Sequence, residues 1–105
     1  MENEMEITIA ELIVHAGDAR SLAIQAIRLG RKGEFEEAER LLGECDEAMA
    51  RGHEQQTKLI FSEAGGSPVP LSLLMVHAQD HVMNAMTVRD MAVEMVAMMK
   101  ELAQR

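Results

Sequence analysis

The sequence predicts an all-α fold of three helices, and three observations carry that reading. Apolar residues fill 48% of the 105 positions, yet aromatics are limited to two Phe, with no Trp or Tyr. The core must therefore be built from Leu, Ile, Val, Ala and Met, a set that suits packed helices better than a sheet. Two glycine-containing stretches, Leu29-Gly30-Arg31-Lys32-Gly33 and Gly65-Gly66-Ser67-Pro68-Val69-Pro70, divide the chain, and both prolines fall in the second. Between these breaks apolar residues recur at helical spacing. A chain of this length is expected to form one domain over residues 1–105, with a modest core of its own.

The first helix is expected over residues 5–29. Leu12, Ala16, Ala19, Ala23 and Ala26 follow steps of four and three, a seam of small side chains that lets a neighbouring backbone approach closely. Gly30 and Gly33 supply its stop signals. The second helix, expected over 34–64, opens with Glu34, Glu36 and Glu37 at its positive dipole end and sets Phe35, Ala38, Leu42, Cys45 and Met49 along one stripe. The single Cys45 has no partner for an internal disulfide, and its place in that stripe favours an apolar, buried role over redox chemistry.

The third helix is expected over 70–103, because Pro70 fits an early helical position where a missing N–H costs nothing. It carries a seam of Leu74, Ala78, Ala85, Val88, Ala92, Met95, Met99 and Leu102, interrupted by His81, and a second apolar set of Met75, Val82, Met86, Val93 and Val96. A helix of a three-helix bundle needs one broad apolar stripe, so the second set predicts a further partner, most simply another copy of the chain.

Charge and composition narrow the function. Ten Lys and Arg against eighteen Asp and Glu give a formal charge of −8, which repels phosphate backbones and anionic lipid, so nucleic acid is not expected as a partner. The acidic Met1-Glu2-Asn3-Glu4-Met5-Glu6 is unlike the basic start of a secretory signal, and no apolar run approaches the roughly 20 residues of a membrane span. A cytoplasmic protein is expected. No Gly-rich phosphate loop, Gly-x-Ser-x-Gly elbow or Cys-x-x-Cys pair occurs, which argues against nucleotide-driven chemistry.

One feature of the third helix asks for an explanation. His77, Asp80, Asn84 and Thr87 follow steps of three, four and three, and so line one face of the most apolar helix. An unpaired buried polar group costs about 1–3 kcal/mol, so these residues must be solvated, mutually bonded or bound to something. His77 and His81 at i and i+4 could share a metal with Asp80, but the zinc-protease pattern needs Glu directly after the first His, where Ala78 stands. His15 with Asp18, and His53, read as surface or packing residues. Seven of the ten Met lie between 75 and 99, at helical spacing among Val and Ala that fits adaptable core packing better than soft-metal coordination.

The run Leu71-Ser72-Leu73-Leu74-Met75-Val76-His77-Ala78-Gln79-Asp80-His81-Val82-Met83 closely resembles the signature of the enzyme IIA components of the lactose and cellobiose (N,N'-diacetylchitobiose) phosphotransferase system. His15-Ala16-Gly17-Asp18-Ala19-Arg20-Ser21, Gly33-Glu34-Phe35-Glu36-Glu37-Ala38 and Glu63-Ala64-Gly65-Gly66 are similar to that family in the same order, so the likeness covers nearly the whole chain. The resemblance implies an antiparallel three-helix bundle assembled as a homotrimer. It implies that His77 is phosphorylated at Nε2 by the phosphohistidine of the carrier HPr and passes the group to a cysteine of a cognate enzyme IIB, with an indirect link to the membrane enzyme IIC. It also implies that Asp80 of each chain binds one Mg2+ per trimer on the symmetry axis, and that no nucleotide takes part. His81 matches the motif and, with Gln79, is a candidate for local support of His77. The Met-rich ending and the prolines at 68 and 70 depart from the family pattern.

Two other readings stay open on the residues alone. A helical adaptor module would use the acidic second helix and the tetratricopeptide-like start at Gly33-Glu34-Phe35, with His77 structural. A metal-binding bundle would use His77, Asp80 and His81 as a zinc site.

Overall fold

The computed structural model describes residues 2–105, with side chains from residue 4 onward, and three helices account for nearly all of it. They are α1 (Glu2–Arg31), α2 (Phe35–Ala64) and α3 (Leu73–Ala103), with no strand among the described residues. Pairings between helices give their directions. On α2 the partners fall from Gln55 to Cys45 as α1 rises from Glu11 to Ala19. On α2 they fall from Gln56 through Asp46 to Glu39 as α3 rises from Gln79 through Arg89 to Lys100. The helices therefore run up, down and up, in a body 55 × 22 × 20 Å.

Both turns close in the same way. Gly33 sits at φ +82°, its N–H donates to the Gly30 carbonyl and the Glu34 N–H donates to the Leu29 carbonyl. Gly66 sits at φ +92°, its N–H donates to Glu63 and the Ser67 N–H to Ser62. This paired pattern satisfies orphan carbonyls at a helix end and needs a left-handed residue, which glycine adopts without a Cβ clash. Gly30, expected as a stop, is still helical. It lies against α3, where a Cβ would come within 2.7 Å of the mobile end of Met99.

The start of α3 also differs from expectation. Pro70 lies outside the helix, in the irregular segment 67–72, and the helix opens at Leu73. Ser72, extended at φ −143° and ψ 161°, caps it by accepting a hydrogen bond from the Met75 N–H at 3.1 Å. A side-chain acceptor for a free N–H fixes the start better than proline, which only tolerates the missing donor.

The core follows the alanine seam. Leu12, Ala16, Ala19, Ala23 and Ala26 are all buried, and the first four share a cluster with Ala78, Ala85 and Ala92 of α3. Cys45 is fully buried and donates its thiol to the Ala19 carbonyl at 3.2 Å. Burial, helped by the neighbouring Asp46 charge, pushes that thiol's pKa up and keeps it protonated and unreactive. α1 packs closely along both partners, whereas α2 and α3 meet more loosely. Their junction leaves a cavity of about 370 Å³ floored by Met49, Ala50 and Met86, with Arg89 pairing across it to Asp46.

The second apolar set on α3 does not form a free face. Met75 and Val82 are buried in one cluster with Ala78, Ala85 and Ala92, and Val96 in a second with Ala26, Ala38 and Leu41, because α3 lies against both α1 and α2 and needs a double-width stripe. The exposed large apolar residues of α3 are Leu73, Val76, Met83, Met91 and Met98, together with Leu74 and Leu102, the two ends of the expected seam, which the neighbouring helices do not reach. A surplus apolar face exists, but at different positions.

Candidate functional site

The polar line of α3 runs down this same outward side. His77, Asp80, Asn84 and Thr87 are all exposed, interleaved with the unpartnered Val76 and Met83. Their helical spacing puts them there, because the inward positions are already filled by Met75, Ala78, Val82 and Ala85. The stripe is thus solvated in the isolated chain, which removes any penalty for buried polar groups. Thr87 turns its hydroxyl back to the Met83 carbonyl at 3.2 Å, so its donor is already used.

His77 is paired with His81. Their Nε2 atoms lie 3.0 Å apart, the ring centroids are 4.4 Å apart and the planes cross at 85°, an edge-on arrangement. One turn of rigid helix sets this separation, since residues four apart stack on one side. His81 is half-buried and His77 exposed, so the pair presents the outer ring to any approaching molecule. The Ser72 cap sits five residues before His77 and anchors the first turn of the helix that carries it.

Asp80 stands apart from that pair. It is exposed and makes no ion pair among the described residues. Among the described residues no group of three or more His, Cys, Asp or Glu side chains is placed to hold a metal ion. His77, Asp80 and His81 of one chain therefore do not assemble a zinc site.

Gln79 points the other way, toward α2. Its Oε1 accepts from Gln56 Nε2 at 2.7 Å, and its Nε2 lies 3.6 Å from Met75 Sδ. Within one chain its amide ties α3 to α2 and makes no bond to His77. Gln56, a buried polar residue, was missed from the sequence. The signal was present, since Ala38, Leu41, Cys45, Ala48, Gly52 and Gln56 continue the inward period of α2 to its last turns. Also missed were the exposed apolar residues Ile60 and Phe61 in the last turns of α2 and Leu71 and Leu73 at the start of α3. His15 and His53 lie outside the His77 pair, His53 at the rim of the α2/α3 cavity.

An exposed imidazole on a rigid helix, paired to a second ring and next to the exposed Val76, suits group transfer to and from docking proteins. The family model described as the lactose/cellobiose-specific IIA subunit of the phosphotransferase system matches residues 7–100. The chain belongs to that family. It is 45% identical over 105 residues to the lichenan-specific phosphotransferase enzyme IIA component of Bacillus subtilis, covering 100% of this chain and 96% of that one. Its fold superimposes on the cellobiose-specific enzyme IIA of Bacillus anthracis with a TM-score of 0.92 and 39% identity, covering 95% and 92% of the two chains. It likewise matches the IIA(Chitobiose) of Escherichia coli, solved in complex with HPr, with a TM-score of 0.81, 35% identity and coverage of 93% and 95%. IIA proteins are phosphotransferase components of sugar transport. No helix among the described residues is long and apolar enough to cross a membrane.

Proposed function

We propose that this IIA protein is a cytoplasmic phosphocarrier whose His77 accepts a phosphoryl group from phospho-HPr and passes it to a cysteine of a cognate enzyme IIB, which serves a membrane enzyme IIC. The exposed His77 imidazole, held on a capped helix with Nε2 3.0 Å from a second ring, carries this reading. A phosphoryl group moving between nitrogens, then to sulfur, asks the protein for positioning and charge stabilisation more than covalent work. The solved IIA(Chitobiose)–HPr complex of a structural relative supports HPr as donor.

Assembly belongs to the same reading. Leu73, Val76, Met83, Met91 and Met98 leave an unpartnered apolar side on α3, and a homotrimer packed through that side covers it. Three Asp80 carboxylates brought to a common axis would repel each other, so Asp80 would hold one Mg2+ there, a hard cation that suits oxygen ligands. The residue fits: it is exposed, and no ion pair among the described residues involves it. When bound, the cation neutralises the carboxylates and links the chains. Asp80→Ala, or chelation of the wild type, is expected to shift the mass in sedimentation toward the monomer; an unchanged mass would refute the axial role.

The test of function is incubation with phosphoenolpyruvate, enzyme I and HPr, followed by addition of the cognate enzyme IIB. One acid-labile phosphate on the wild type, discharged on adding enzyme IIB, is expected. A phosphate that enzyme IIB never removes would contradict the carrier role.

A further inference from the structure

We infer that His81 is a positioning residue that sets the tautomer of His77: its Nε2–H donates to His77 Nε2 before transfer and moves to a phosphoryl oxygen afterwards. The inference rests on His77 being the phosphoryl acceptor and adds what His81 does there. A separation of 3.0 Å between two ring nitrogens is a hydrogen bond with one proton between them, so one ring donates and the other accepts. The direction matters chemically. If His77 donated from Nε2, its lone pair would sit on Nδ1, beside its own backbone. If His81 donates, His77 carries its proton on Nδ1 and keeps the lone pair on Nε2, the tip of an exposed ring that a docking protein reaches first.

A free neutral imidazole side chain prefers the proton on Nε2, the wrong arrangement for attack from that atom. A ring nitrogen that accepts a hydrogen bond is the unprotonated one, so a proton donated to Nε2 holds the ring's own proton on Nδ1. Within one chain the bond that touches a ring nitrogen of His77 is the one from His81 to Nε2. His81 suits the task because it is half-buried, one turn further along the same helix, and crosses His77 edge-on at 85°.

The step balances without another reactant. As the donor phosphohistidine approaches, the His81 bond opens and the His77 Nε2 lone pair forms the new N–P bond. The donor N–P bond breaks, and its electron pair stays on the donor nitrogen. The Nδ1 proton of His77 remains on the ring, and the freed His81 Nε2–H donates to an oxygen of the transferred group. That last bond is charge-assisted and shorter and stronger than the neutral one it replaces.

The test uses the full chain labelled with 15N, with long-range proton–nitrogen spectra taken at a pH where both rings are neutral. His77 is expected to carry its proton on Nδ1 in the wild type and in His81→Gln, whose amide also donates. In His81→Ala it is expected to change to mainly Nε2–H. In single-turnover labelling by phospho-HPr, His81→Ala is expected to be about ten- to a hundredfold slower, as loss of a hydrogen bond to a charged group implies, with most of the rate recovered in His81→Gln. A wild-type His77 protonated on Nε2, or His81→Ala with unchanged tautomer and rate, overturns the inference. So does a folded His81→Gln as slow as His81→Ala. The spectra are read on unphosphorylated protein and judge His81 alone, whereas failure of the wild type to take phosphate would instead remove the carrier reading.

Discussion

The two sides of α3 are built to opposite rules. The inward side carries Ala78, Ala85 and Ala92 in one buried cluster with the alanines of α1, side chains small enough to let two helices approach closely. The outward side carries His77, Asp80, Val76 and Met83, exposed and largely without partners in the chain. Close packing leaves no room for change on the first side, while the second contributes little to the stability of the isolated bundle. One helix thus serves as both keel and working surface, and the histidine pair gains its rigidity from the alanines behind it.

Filling the alanine seam should do the most damage. Ala19→Leu adds three carbons where α1, α2 and α3 meet and where Cys45 bonds the backbone, and it should cost about 1–3 kcal/mol in urea unfolding. A loss within the scatter of a surface control would show that the seam is slack. Removing the cap is the next largest effect. Ser72→Ala should cost about 1 kcal/mol and speed hydrogen exchange at the first amides of α3, with the helix beyond His81 unchanged. Equal protection in both proteins would mean that the start of α3 is held by packing alone. The smallest effect is expected at Arg40, which pairs with Glu37 and Glu44 on the exposed side of α2. Exposed pairs on a helix are screened, so Arg40→Ala should leave the melting temperature within the scatter of replicates.

Much of this was legible in the sequence, for reasons that differ by element. The α1 seam could be read because alanines at steps of three and four serve close helix packing. Gly33 could be read as a stop because the left-handed turn asks for glycine. The start of α3 was misplaced because Pro70 and Ser72 both signal a helix start, and only the bond from Met75 N–H to Ser72 decides between them. Met75, Val82 and Val96 were assigned outside the chain because periodicity shows how many stripes are apolar but not how many neighbours the helix has. That His77 and Asp80 share one face of α3 was legible from spacing, and so was the closeness of His77 to His81. The bond between Gln79 and Gln56 was not, since it joins residues 23 apart in the chain and depends on how two helices dock.

If the outward side of α3 carries the function while the inward side carries the fold, His77→Ala should separate the two. Wild type and variant are compared for melting temperature and, by intact mass, for phosphate taken from phosphoenolpyruvate through enzyme I and HPr. Matching melts are expected, with one acid-labile phosphate on the wild type and none on the variant. A folded His77→Ala protein that still takes up one acid-labile phosphate would contradict it.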